Sequence, residues 1–130
     1  MSPLVKSLYR ALQERDVDAL MQLLHPDFEG HVAPGMPYGV GGVHHGPQSM
    51  IFGVWGEIAK NYQTAPYDET CEETTDGGVL VTGHYRGTAN STGRPYEAEF
   101  AHLWRVDNGK IVWLHQYTDT AKWHEALAPA

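Results

Sequence analysis

Apolar residues recur at helical spacing through the first third of the chain. Leu4, Leu8, Ala11 and Leu12 fall at i, i+4, i+7 and i+8, one face of an amphipathic helix. Ser2 and Pro3 are the residue types that open such a helix, as N-cap and first turn. Asp16 is placed to cap a second helix with Val17, Leu20, Met21 and Leu24 inward. His25-Pro26 ends it, because proline drives the residue before it out of helical geometry. Phe28 to Ala33 reads as a short strand. Pro34 to Gly46 is a Gly/Pro-rich loop with no helix or strand signal, long enough to suggest a functional role. Pro47 opens a third helix, along which Ile51, Trp55, Ile58 and Tyr62 repeat at i, i+4, i+7 and i+11.

The second half changes period. Tyr67 to Thr75 is a polar, acidic strand suited to a sheet edge. Val79 to Thr88 is a strand, and Asn90 to Gly93 a turn. Tyr96 to Val106 is a long strand, Asn108-Gly109 is a strong hairpin turn, and Lys110 to Thr118 is its partner. A short helix over Ala121 to Leu127 closes the chain, with Asp119 or Thr120 as its cap. Three helices and one early strand, then a four-stranded meander and a last helix, predict an α+β fold. Helices then cover one face of a curved, mostly antiparallel sheet and leave a concave space.

Both faces of the hairpin carry aromatic or apolar side chains. Tyr96, Ala98, Phe100, His102 and Trp104 alternate with Glu97, Glu99, Ala101 and Leu103. Ile111, Trp113, His115 and Tyr117 alternate with Val112, Leu114, Gln116 and Thr118. Helices account for one face. A second copy is the natural cover for the other, so a homodimer through the sheet is expected.

Composition narrows the function. The chain has 130 residues, 42% of them hydrophobic, which predicts a single domain spanning 1–130. Its net charge of −7 disfavours nucleic acid and anionic membrane surfaces as partners. Cys71 is the only cysteine; it allows no internal disulfide and is read as structural. The first residues lack the apolar stretch of a signal peptide, and no apolar run is long enough to span a bilayer, so a soluble, cytoplasmic protein is expected. His44-His45 are adjacent in a Gly-rich loop, no metal-binding His spacing occurs, and no metal is expected.

Three stretches carry a family resemblance: Leu20–Phe28 (LMQLLHPDF), the His44–Gly46 turn into the Pro47 helix, and Phe100–Thr120 (FAHLWRVDNGKIVWLHQYTDT). With them the chain resembles the SnoaL-like (polyketide-cyclase-like) branch of the NTF2-like superfamily over nearly its whole length. The resemblance implies a cone-shaped α+β barrel, often dimeric, with a deep apolar pocket. Its members include cyclases, isomerases, epoxide hydrolases, dehydratases and proteins without chemistry, so it implies a fold more than a function. SnoaL-type cyclases carry an aspartate base fourteen residues after a histidine on the preceding strand. The histidine matches His102, and the aspartate position falls on Gln116. The tyrosine and aspartate of the ketosteroid isomerases fall on Leu8 and Val32.

His102 is therefore the candidate acid/base, with Gln116 orienting it or holding a substrate carbonyl. The plainer alternative is a hydrogen bond that satisfies two buried polar groups. Asp119 is a displaced carboxylate or, more simply, a helix cap. His31 neighbours the isomerase base position, yet strand alternation turns it away from Val32 unless a bulge intervenes. Tyr9, Tyr38, His44, Trp55, Phe100 and Trp104 complete the expected ligand-binding set. The function expected is a cofactor-independent enzyme cyclising or isomerising a mostly apolar, oxygenated, polyketide-like small molecule. The alternatives are a non-catalytic binder of the same fold and a protein-interaction module.

Overall fold

Leu8 sits fully buried at the centre of the inward face of α1 (Pro3–Glu14), with Val5, Tyr9 and Ala11 beside it. Leu4 and Leu12 flank this face and are only partly buried, so the helix is rotated to send Tyr9 into the interior. The computed structural model describes residues 3–129; the expected Ser2 cap lies outside them. Helix α2 (Val17–Leu23) starts as expected, with the Asp16 carboxylate accepting from the Ala19 N–H at 3.1 Å. Two turns bury only Leu20 deeply. Val17 and Met21, expected inward, are exposed, because a helix of two turns presents only a narrow face to the core.

Strand β1 (Leu24–Val32) begins four residues before Phe28. Pro26 rules out further helix, and Leu24 is extended and paired with Ile111. The loop after it also differs from expectation, because Gly42–His45 forms strand β2, antiparallel to β1. Pairing with the open edge of β1 supplies the hydrogen bonds, so the strand needs no local propensity. Helix α3 (Pro47–Met50) continues through a π-helical turn (Ile51–Trp55) into α4 (Gly56–Asn61). Tyr62 is already extended and opens β3 (Tyr62–Glu73).

Strands β4 (Val79–Ala89), β5 (Pro95–Asp107) and β6 (Lys110–Thr118) complete a six-stranded sheet in the order β2-β1-β6-β5-β4-β3. β1 runs parallel to β6, and the remaining neighbours are antiparallel. β3 is an edge, as its acidic pattern predicts, and tolerates Pro66 because an edge strand can lack a ladder N–H. Asn108 and Gly109 both take positive φ at the hairpin, which suits the right-handed twist of its strands. A register shift follows between Arg105 and Val106, and Ile111 pairs with Val106 while Trp113 pairs with Arg105. This bulge buries Ile111 with Leu114, not with Trp113, His115 and Tyr117 as strict alternation predicts.

The helices lie against the concave side of the sheet, where Val81, Ala98, Phe100, Trp104 and Leu114 join Phe28, Leu8 and Met50 in one core. The last helix, α5 (Thr120–Glu125), brings Trp123 under the sheet. Trp123 packs against Tyr62, Tyr85 and Tyr96 with ring centroids 4.8–5.1 Å apart. Its carbonyl accepts the Tyr62 hydroxyl at 2.9 Å. No helix among the described residues is long and apolar enough to cross a membrane.

Candidate functional site

His102 lies buried on the concave face of β5, with a tyrosine hydroxyl on each ring nitrogen. The Tyr9 hydroxyl is 2.6 Å from Nδ1, and the Tyr85 hydroxyl is 2.5 Å from Nε2. Tyr9 comes from α1 and Tyr85 from β4, so helix and sheet meet at this imidazole. Each tyrosine is held in turn. Trp104 Nε1–H donates to the Tyr9 oxygen at 3.0 Å, and Gln116 Nε2–H donates to the Tyr85 oxygen at 3.2 Å. The Ala33 N–H can only donate, so it fixes the Gln116 carbonyl oxygen, which accepts it at 3.3 Å. The Gln116 amide nitrogen is thereby aimed at Tyr85.

The proton count of this chain is informative. With a neutral imidazole, the two links between histidine and tyrosines need two protons. Two hydroxyls and one ring N–H supply three. One hydroxyl proton is therefore left over. It belongs to Tyr9 when Nδ1 carries the hydrogen and to Tyr85 when Nε2 does. Burial keeps the imidazole neutral by pushing its pKa down to about 3. Burial likewise raises the pKa of both hydroxyls well above the ordinary tyrosine value.

The triad lines a cavity of about 210 Å³ between helices and sheet. Trp104, Trp123, Leu114, Met36, Met50 and Val54 supply apolar wall, and the π-helical segment contributes Trp55. Toward solvent the lining passes to Leu12, Gln13, Arg15, Ile58 and the Thr64–Pro66 stretch of β3. Arg15 is the one charged residue among the lining residues; no carboxylate is among them. Phe100 stands behind the site, stacked on His102 with ring centroids 4.2 Å apart. Gly83 makes room for it, since a Cβ there would lie 3.1 Å from the Phe100 ring.

His102 and Gln116 do face each other in register across β5 and β6. They do not bond directly, because Tyr85 stands between them. Tyr9, Trp55 and Trp104 line the cavity as expected from sequence, and Phe100 supports it from behind. Four expected residues lie elsewhere. His31 is on the outer face of the sheet, 2.7 Å from Glu29 and stacked near His115. β1 is regular there, so alternation sends Val32 inward and His31 outward. Tyr38 packs edge-on against Tyr62 from the loop, outside the cavity lining, and is 41% exposed. His44 donates Nε2–H to the Val40 carbonyl at 2.7 Å and accepts from the Ser49 hydroxyl at 3.2 Å, tying loop to helix. Asp119 sits at the start of α5, outside the cavity lining and with no side-chain cap bond; its backbone N–H donates to Glu99.

Tyr85 escapes sequence reasoning. Gly83 and Gly87 flank it on the same strand face and His84 and Arg86 on the other, so the stretch reads as a weak strand and not as a site. The available signal was alternation: Val79, Val81, Gly83 and Tyr85 share one side. Cys71 is a free, half-buried thiol packed against the core from β3. No group of three or more His, Cys, Asp or Glu side chains suited to a metal ion occurs among the described residues.

Comparisons with known proteins agree on the fold. The chain is similar to an NTF2-like protein from Burkholderia pseudomallei, with 28% identity and a TM-score of 0.85 over 96% of this chain and 95% of that one. An NTF2-like protein from Burkholderia thailandensis is also 28% identical, with a TM-score of 0.80 over 97% and 95%. TerC, solved co-crystallised with polyporic acid, is 25% identical, with a TM-score of 0.83 over 95% of each chain. No curated protein matches the chain. A family model described as a SnoaL-like domain matches residues 5–114. That match takes in Tyr9, Tyr85, His102 and every cavity-lining residue except Gln116 and Trp123, and with the cone-shaped architecture around them it makes this chain a member of the SnoaL-like family on an NTF2-like fold.

Proposed function

We propose that the chain is a cofactor-independent enzyme that tautomerises, isomerises or cyclises a small, mostly apolar carbonyl compound. The observation that carries this reading is the Tyr9–His102–Tyr85 bridge, with its spare hydroxyl proton, at the wall of an apolar cavity. A substrate carbonyl oxygen accepts that proton. As charge develops on this oxygen, the hydroxyl stabilises it within largely apolar walls.

The bridge can also move a proton without forming an ion. Take the Nδ1–H tautomer. Tyr9 delivers its hydroxyl proton to the substrate and receives the Nδ1 proton. Tyr85 passes its own proton to Nε2 and takes one from the substrate's donor group. The imidazole ends as the Nε2–H tautomer, still neutral, and one proton has crossed from donor to acceptor. Such relay chemistry suits a site that lacks a lining carboxylate and holds its histidine neutral. The resemblance to TerC, which was co-crystallised with polyporic acid, supports a ligand of this oxygenated kind.

The test uses 2-tetralone, a small apolar ketone with exchangeable α-hydrogens. Its exchange with deuterated water is followed by NMR. Wild-type protein accelerates exchange, and Tyr85→Phe lowers the acceleration by roughly a hundredfold. Binding of 2-tetralone without any acceleration by wild-type protein overturns the catalytic reading. It would favour a carrier of the same ligand class, a second reading motivated by Gln116 at the aspartate position of the related cyclases.

A further inference from the structure

Arg15 occupies a backbone position made for glycine. Its φ is +55°, in the left-handed region that costs an L-residue free energy and glycine little. The hydrogen bonds around it define the helix stop. Arg15 N–H donates to the Leu12 carbonyl at 3.3 Å, and Asp16 N–H donates to the Ala11 carbonyl at 2.9 Å. This is the Schellman pattern, in which the left-handed residue is usually glycine. A strained non-glycine residue is a reason to look for a function.

The side chain supplies one. Arg15 lines the solvent side of the cavity, and every other lining residue is uncharged. None of the ion pairs among the described residues involves it. The protein carries a net charge of −7, yet the cavity lining includes an arginine and no carboxylate. A guanidinium binds a carboxylate through two parallel N–H bonds, a geometry that neither lysine nor an uncharged donor reproduces.

We propose that Arg15 selects ligands that carry a carboxylate: the apolar body fills the cavity and the anionic end stays at the rim. This rests on the cavity being the ligand site, and it adds a second pole to it. The buried end, at Tyr9 and Tyr85, takes a neutral oxygen acceptor, and the open end takes the charge. The ligand class is therefore an aromatic or alicyclic acid, not a neutral ketone alone.

The probes are 2-naphthoate and 2-naphthamide, equal in shape and different in charge, titrated calorimetrically against wild-type protein and Arg15→Gly. Glycine suits the left-handed position, so the variant keeps or raises the melting temperature. Wild-type protein binds naphthoate about tenfold or more tighter than naphthamide, as expected for a charge-assisted pair. Arg15→Gly loses that preference through naphthoate alone, and raised salt weakens only naphthoate binding to wild-type protein. Equal affinities in the wild type, a preference that survives in Arg15→Gly, or a matched loss for both probes overturns the proposal and leaves the cavity reading standing. Failure of both probes to bind wild-type protein overturns the two together.

Discussion

Tyr9 and His102 are separated by 93 positions in the sequence and meet at 2.6 Å, hydroxyl to Nδ1, in the interior. The contact fixes the rotation of α1 above the sheet and fills one side of the imidazole. Tyr85 fills the other, so His102 is held from both ends and cannot turn without breaking two bonds. Removing either hydroxyl strands buried polar groups. Tyr9→Phe leaves Trp104 Nε1–H and His102 Nδ1 unpaired, and Tyr85→Phe leaves Gln116 Nε2–H and His102 Nε2 unpaired. Each substitution should destabilise the fold by about 1–3 kcal/mol, measured by urea denaturation. A change near zero in both would mean that the bonds are not formed in solution.

The pH dependence of stability follows from the same burial. The folded pKa of His102, about 3, lies below the unfolded value near 6.5. Between these values the unfolded chain binds the extra proton. The stability owed to the neutral imidazole is therefore complete above pH 6.5 and is lost as pH falls toward 3. Its slope approaches about 1.4 kcal/mol per pH unit within that window. Subtracting the acid limb of His102→Gln from that of the wild type isolates this contribution from the carboxylates. Parallel limbs would show that His102 titrates normally in the folded protein.

Gly83 bears on the site without touching a ligand. A methyl group there meets the Tyr67 carbonyl oxygen at 2.8 Å and the Phe100 ring at 3.1 Å. Gly83→Ala must displace one of them, and Phe100 is stacked on His102. Overpacking of this kind costs about 1–3 kcal/mol, and here it also tilts the imidazole. Loss of stability in thermal melts, with loss of 2-tetralone exchange beyond it, is the expected result. An unchanged melting temperature contradicts the packing.

The outer face of the sheet supports a second copy as its cover, which we propose as the solution state. Tyr117 is 53% and Tyr67 46% exposed there, and Trp113, His115 and Leu103 are only half-buried. A patch of this kind on a monomer is unusual. Light scattering should return twice the 14.5 kDa chain mass, and Tyr117→Glu should return the monomer. A wild-type monomer at micromolar concentration rejects the dimer.

Much of the architecture was legible because its signals are local. The Leu8 face of α1, the Asp16 cap, the Asn108-Gly109 turn and the acidic edge each follow from a few neighbouring residues. The pairing of His102 with Gln116 was legible too, through the family resemblance that sets both on adjacent strands. What stayed hidden depends on distant partners. β2 exists because β1 offers an open edge, although Gly42–His45 carries no strand signal. Ile111 turns inward only through a bulge at the hairpin. Tyr85 is an ordinary strand residue until Tyr9, from the far end of the chain, completes the bridge across His102. Nothing in the sequence marks Arg15, whose left-handed backbone appears only in three dimensions.

The chemistry proposed for this site depends on a neutral imidazole bridged by two hydroxyls. Nitrogen-15 NMR of His102, read from pH 5 to pH 8 in folded protein, resolves its protonation state. One protonated and one unprotonated ring nitrogen are expected, with shifts that do not move across the range. Convergence of both nitrogens on imidazolium values as pH falls through 6.5 would contradict it.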